Sequence, residues 1–230
     1  MIRRTSPPEV TPPPPAAPDR DREHAQDEPE PGETLQEAED EIGIVARLAG
    51  GGATLLSHRK LLPRMQRCVD ELIADEGADL VVILCGADWS RIAASRLVVN
   101  PGQLFPGVMG ALAQGRRLGI IKPSPGQVAP ERDRYRTLGI DAVVTSASPY
   151  AGEERLSQAR QAAEQLRQEE CALIWMTCIG MDGAMRGVVA EVSGVPVVLA
   201  QALLARIVAE MIAGHRPAVA TMAATKAGSA

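Results

Sequence analysis

Two cysteines occupy equivalent places in two similar stretches of this chain. Residues 78–85 read ADLVVILC and are followed by Gly86, Ala87 and Asp88. Residues 172–178 read ALIWMTC and are followed by Ile179, Gly180, Met181, Asp182 and Gly183. Each is a short apolar run with no internal Gly or Pro, which suits a parallel strand buried on both faces. Cys85 and Cys178 therefore stand where a strand ends. That is the edge of an open α/β sheet where ligands bind. Backbone charge at the start of the helix that follows Cys178 is expected to favour the thiolate, the reactive form. The competing reading is a pair of core cysteines, since free Cys is among the most buried residue types. Cys68 falls on an apolar helical stripe and Cys171 begins a strand without polar context, so both are assigned to the core. On this reading Cys85 and Cys178 alkylate faster than Cys68 and Cys171.

Other polar side chains gather near the same strand ends. Thr177 precedes the second cysteine and serves either as a ligand donor or as a satisfied strand hydroxyl. Ser124 and Gln127, in the loop KPSPGQ from Lys122, have the groups to hold a carboxylate, although loop polarity alone also accounts for them. Lys122 is either an anion contact or a solvated lysine. Asp88 and Asp182 are natural helix-capping residues, and Asn100 before a proline is a turn former.

The elements that must position these groups alternate. A hairpin over residues 42–48 and 53–56 brackets a Gly-rich loop, and Ser57 caps a helix over 58–76. The strand to Cys85 follows, then an irregular stretch over 88–101. Next come a helix over 103–114, a strand over 118–121, a helix over 127–138, a strand over 142–145 and a helix over 152–169. After the strand to Cys178 and an amphipathic segment over 184–192, a strand over 197–199 and a helix over 201–213 complete the series. Alternation of this kind makes a parallel α/β protein. Half of the 18 prolines precede Glu33 and acidic residues dominate the rest of that stretch, so residues 1–40 read as a disordered leader. Residues 41–102, completed by the helix at 201–213, form a first α/β half; residues 103–200 form a second, and 214–230 a flexible tail.

Composition narrows the function. The net charge is −5 with no basic block, which argues against electrostatically driven nucleic-acid binding. No apolar run approaches the length needed to span a bilayer, and no apolar segment follows Arg3 and Arg4 as a secretory signal would require. Four unclustered cysteines make no disulfide framework, and a reducing cytoplasm is the expected compartment. No GxGxxG, P-loop or GxSxG motif follows a strand. Without CxxC spacing, and with His24, His58 and His215 scattered, a zinc site is not expected.

At this point the chain resembles a known family. The two cysteine strand ends, LGIIKP from Leu118, VPVVLAQALLARIVAE from Val195, and SHRKLLPRMQ from Ser57 preceded by PEPGE from Pro29 are similar in kind and order to AroM proteins. The resemblance covers about residues 28–214. AroM proteins resemble in turn the aspartate/glutamate racemase superfamily. This implies two pseudo-symmetric parallel-sheet α/β domains facing across a cleft, each contributing one cysteine, here Cys85 and Cys178. It also implies chemistry without a cofactor, in which one thiolate removes a Cα proton and the opposite thiol returns one. Gly86, Ile179 and Gly180 would then lend backbone N–H groups to the carboxylate, with Ser124, Gln127 and Thr177 beside them and no basic side chain.

The chain departs from that pattern in two ways. Gly86 and Ile179 follow the cysteines where the racemases often have Thr. The apolar strand expected before Thr5, Ser6 and Pro7 is absent, and in-frame upstream codons are expected to encode it. The expected partner is a small carboxylate or amino-acid-like ligand, with no nucleic acid and no membrane; a homodimer is the expected assembly if there is one. The alternative to a two-cysteine racemase or isomerase is a non-catalytic binder or regulator using the same cleft, or a truncated inactive homologue.

Overall fold

A computed structural model describes residues 43–48 and 53–214. The leader, the loop at 49–52 and the tail beyond 214 lie outside the described residues, and with them His24 and His215. The first two strands, β1 (Gly43–Arg47) and β2 (Ala53–Ser57), pair antiparallel with Gly43 opposite Ser57. Ser57 then starts α1 (His58–Ala74), its buried hydroxyl accepting the Lys60 N–H at 3.1 Å. That bond satisfies one of the free donors of a helix start.

Next come β3 (Leu80–Val82) and β4 (Leu97–Val99), which pair parallel as a two-stranded sheet, and then α2 (Pro101–Ala113). The stretch expected to be irregular thus contains β4. Strand β3 stops three residues short of Cys85, although the Ile83 N–H still donates to Val99 O at 3.0 Å. The remaining units are β5 (Leu118–Lys122), a single 3-10 turn at Pro125–Gln127, α3 (Val128–Thr137), β6 (Ala142–Ser146) and α4 (Arg155–Gln168). They are followed by β7 (Leu173–Met176), α5 (Gly183–Ser193), β8 (Val197–Leu199) and α6 (Ala200–Ala213). Strands β5 to β8 form one parallel sheet in the order β6-β5-β7-β8. Among the described residues, parallel pairing is therefore unequal, four strands in one sheet and two in the other.

Side-chain alternation along β5 and β7 divides the core. Leu118, Ile120, Leu173 and Trp175 face one cluster, which takes in Phe105 and Met109 of α2 and Leu204 of α6. Ile121, Ile174 and Met176 face the other, with Ala159, Ala162 and Ala163 of α4 and Val189 of α5. Both faces are covered, which is why these strands read as unbroken apolar runs. The chain turns back at this point. From β5 it passes to β6 on one side, then crosses to β7 on the other. The connections therefore diverge beyond the C-terminal ends of β5 and β7, leaving a crevice there.

Candidate active site at the strand ends

Three strand ends open onto one cavity of about 570 Å³. Residues after β3 contribute Cys85, Gly86 and Asp88, the end of β5 contributes Lys122, and the residues after β7 contribute Thr177 and Cys178. Helix α3 supplies Glu131 and Arg134, the start of α1 supplies His58, and β1 lays Gly43 to Val45 along one side. Both cysteines are partly exposed. Cys85 is one of the groups that push the pKa of Cys178 up, after burial.

Glycine brings the β3 and β7 ends together. A Cβ at Gly86 would lie 2.7 Å from the carbonyl oxygen of Thr177, so only a residue without a side chain fits between the two loops. Thr177 is fixed on its other side. Its N–H and hydroxyl both donate to Ile121 O, at 3.1 and 3.2 Å. The hydroxyl is a satisfied strand group and Thr177 meets the cavity with that role already filled.

The sequence expectation for the Cys178 thiol needs correction. Its sulfur does accept the Gly180 N–H at 3.4 Å, but its pKa is pushed up. Burial against the α4–α5 core is the largest cause. The Cys85 thiol adds to it, and the Gly180 and Met181 N–H groups and Lys122 only partly offset it. Desolvation of an anion outweighs a few backbone dipoles here. Cys68 is also corrected: it is exposed on α1, not part of the core. Cys171 is buried, as its setting suggested, and its thiol is pushed up to about 11, chiefly by burial.

Charges on the cavity wall come as pairs. Lys122 Nζ lies 3.5 Å from Glu131 Oε2, and both side chains are largely buried. Arg134 lies 3.7 Å from Asp88 Oδ2 and also donates to Gly102 O. Gln127 donates through Nε2 to Gly43 O at 2.7 Å, tying α3's approach to the hairpin, while its buried Oε1 has no partner among the described residues. The His58 ring packs on Trp89 with centroids 4.5 Å apart, and its Nε2 likewise has no partner among the described residues. In the core beneath, Trp175 meets Phe105 edge-on at 5.0 Å.

Of the residues singled out from sequence, the fold brings Cys85, Gly86, Asp88, Lys122, Gln127, Thr177 and Cys178 to this cavity. Ser124 faces a separate open hollow with Val45, Leu55 and Ser148. Ile179 packs toward the α2–α6 core, and Gly180 is exposed with its N–H turned to the Cys178 sulfur. Asp182 caps α5, accepting the Met185 N–H at 2.9 Å, and pairs with Arg155 at 2.6 Å. Sequence reading missed His58, Glu131 and Arg134. One signal was available for Glu131, because a lysine ending a fully buried strand needs an acid on the next helix.

Among the described residues no cluster of His, Cys, Asp and Glu could hold a metal ion, and no helix is long and apolar enough to cross a membrane. No curated protein matches the chain. Among solved structures, a glutamate racemase from Francisella tularensis in complex with D-glutamate superposes with a TM-score of 0.50. It shares 12% identity, over 68% of this chain and 65% of that one. This likeness is one of fold, the Asp/Glu racemase type. Glutamate racemase from Bacillus anthracis (TM-score 0.48, 14% identity, 66% and 65% covered) and allantoin racemase from Pseudomonas fluorescens (0.45, 20%, 64% and 67%) align more loosely. The chain spans about two thirds of the length of these racemases. The AroM protein family matches residues 27–212, from before the hairpin to the last turn of α6, and the chain belongs to that family.

Proposed function

We propose that this AroM-family protein binds a small carboxylate between Cys85 and Cys178 and inverts its Cα centre by two-thiol proton transfer. The observation that carries this reading is the meeting of both cysteines, from strand ends roughly a hundred residues apart in sequence, in one cavity at the crossover of the sheet. Cys178, whose surroundings favour the neutral thiol, is the proton donor in one direction. Cys85 as thiolate accepts the Cα proton from the opposite face. The electron pair left on Cα delocalises into the carboxylate, and Cys178 then protonates it. The step ends with Cys85 as thiol and Cys178 as thiolate, so solvent exchange resets the pair and no cofactor is consumed. Lys122, held by Glu131, anchors the carboxylate. It acts alongside the Gly86 and Ile179 N–H groups, while the Gly180 N–H turns to the Cys178 sulfur at 3.4 Å.

Small carboxylates are first screened by thermal shift, where a ligand at a hundred times its Kd adds about 2.7 kcal/mol. Each hit is then incubated in D₂O and Cα deuteration followed by NMR. Wild type is expected to incorporate deuterium, while Cys85→Ser and Cys178→Ser bind the ligand without inverting it. A ligand that binds wild type without Cα exchange overturns the racemase reading for that ligand and leaves a binding protein.

A further inference from the structure

Beside Cys178 lies a side chain that the two-thiol reading leaves unused. Tyr150 stands in the loop after β6, half-buried, its N–H held by Ser148 Oγ at 3.2 Å. Its hydroxyl rests on Gly180. A Cβ there would land on the phenol oxygen, with Cζ at 2.8 Å and Cε1 at 3.2 Å. Gly180 is also the residue whose N–H reaches the Cys178 sulfur, so the phenol stands beside the group that already holds that sulfur. After burial, Cys178 in turn helps to push the phenol's pKa up. The missing side chain at position 180 is what lets an aromatic hydroxyl approach the thiol.

The other groups acting on Cys178 come from several elements. Cys85 faces it from beyond β3, Lys122 from the end of β5, and the Met181 N–H from its own turn. Arg47 of β1 acts on the phenol. None of these is a neutral hydroxyl able to follow the sulfur through both of its protonation states. We propose that Tyr150 is the positioning residue for Cys178, its hydroxyl donating to the sulfur and stabilising the thiolate left when that thiol gives up its proton. A phenol-to-thiolate bond is charge-assisted and stronger than one to a neutral thiol. Tyr150 stays protonated as it does this, because burial and the neighbouring Cys178 push its own pKa up. Its use in inversion rests on the two-thiol reading, but the hydrogen bond and its test need neither ligand nor turnover.

The test is the pH profile of Cys178 alkylation by iodoacetamide, quantified by peptide mass mapping, in wild type, Tyr150→Phe and Gly180→Ala. Losing the donor should move the Cys178 midpoint up by about one pH unit, which is roughly tenfold slower alkylation below the midpoint. Exposed Cys68, read in the same digests, should keep its profile. A mere change in access would scale the Cys178 rate at every pH and leave the midpoint in place. Gly180→Ala displaces the phenol and disturbs the Gly180 N–H together, so its shift is read against that of Tyr150→Phe. Tyr150→Leu, which removes the hydroxyl without touching Gly180, decides the question if Tyr150→Phe does not fold. A midpoint that stays put or falls in the folded variant overturns the proposal, whatever the outcome of the D₂O experiment.

Discussion

Replacing Gly86 with alanine tests whether the two cysteine loops are held as close as the geometry requires. The added Cβ would sit 2.7 Å from Thr177 O, about 0.7 Å short of ordinary van der Waals contact. The obstacle is backbone, and that backbone is fixed by the two bonds from Thr177 to Ile121 O in the four-stranded sheet. The loop at residues 84–88 must therefore move, carrying Cys85 away from Cys178. Overpacking of this kind costs about 1–3 kcal/mol, and 2 kcal/mol corresponds to a Tm fall of roughly 4–8 °C for a domain of this size. Differential scanning fluorimetry reads the Tm. Deuterium incorporation at Cα, for any substrate found, should fall by about a hundredfold, as misplacement of a reacting group by near an ångström does. Gly107→Ala and Gly187→Ala are the internal controls. Both sites are exposed helix positions where a Cβ meets nothing within 4 Å, and each should gain about 0.5–1 kcal/mol. A Gly86→Ala protein as stable as wild type would refute the close approach of the two loops.

Two more outcomes follow from the charges and thiols. Lys122→Met leaves Glu131 buried beside an apolar side chain and should cost about 3 kcal/mol in denaturant unfolding, most of it recovered by adding Glu131→Leu; a double variant no more stable than the single one would sink the ion-pair argument. Cys171, pushed up to about 11 in the folded protein, contributes stability that is complete below the ordinary thiol pKa and lost as pH rises through about 11, so Cys171→Ala should flatten the fall in stability between pH 9 and 11 by up to about 2 kcal/mol; equal slopes would contradict it.

Element order was legible because the local signals agreed. Apolar runs of four to seven residues gave β5, β6 and β7, and Ser57 marked the start of α1. β4 went unseen because LVV before Asn100 is only three residues long, too short for any periodicity. Cys68 was misplaced for a related reason. The apolar stripe of α1 is wider than the surface it covers, and of that helix only Val69 is fully buried. In the site, the strand-end rule located Cys85, Lys122 and Cys178, since it depends only on where strands stop. It could not supply Glu131, Arg134 or His58, which reach the cavity from helices whose rotation is set by packing far along the chain. Nor could it show that burial outweighs helix-terminal charge at Cys178, because that balance depends on neighbours from α4 and α5.

The two tryptophans give the molecule a built-in optical division. Trp175 is sealed in the core against Phe105, while Trp89 lies under His58, one contact from the cavity. With only two indoles in the chain, intrinsic fluorescence contains one emitter that reports the integrity of the sheet and one that reports the occupancy of the crevice. A Trp175→Phe protein would emit from the second alone, so that ligand entry and unfolding could be followed separately in the same cuvette without a label.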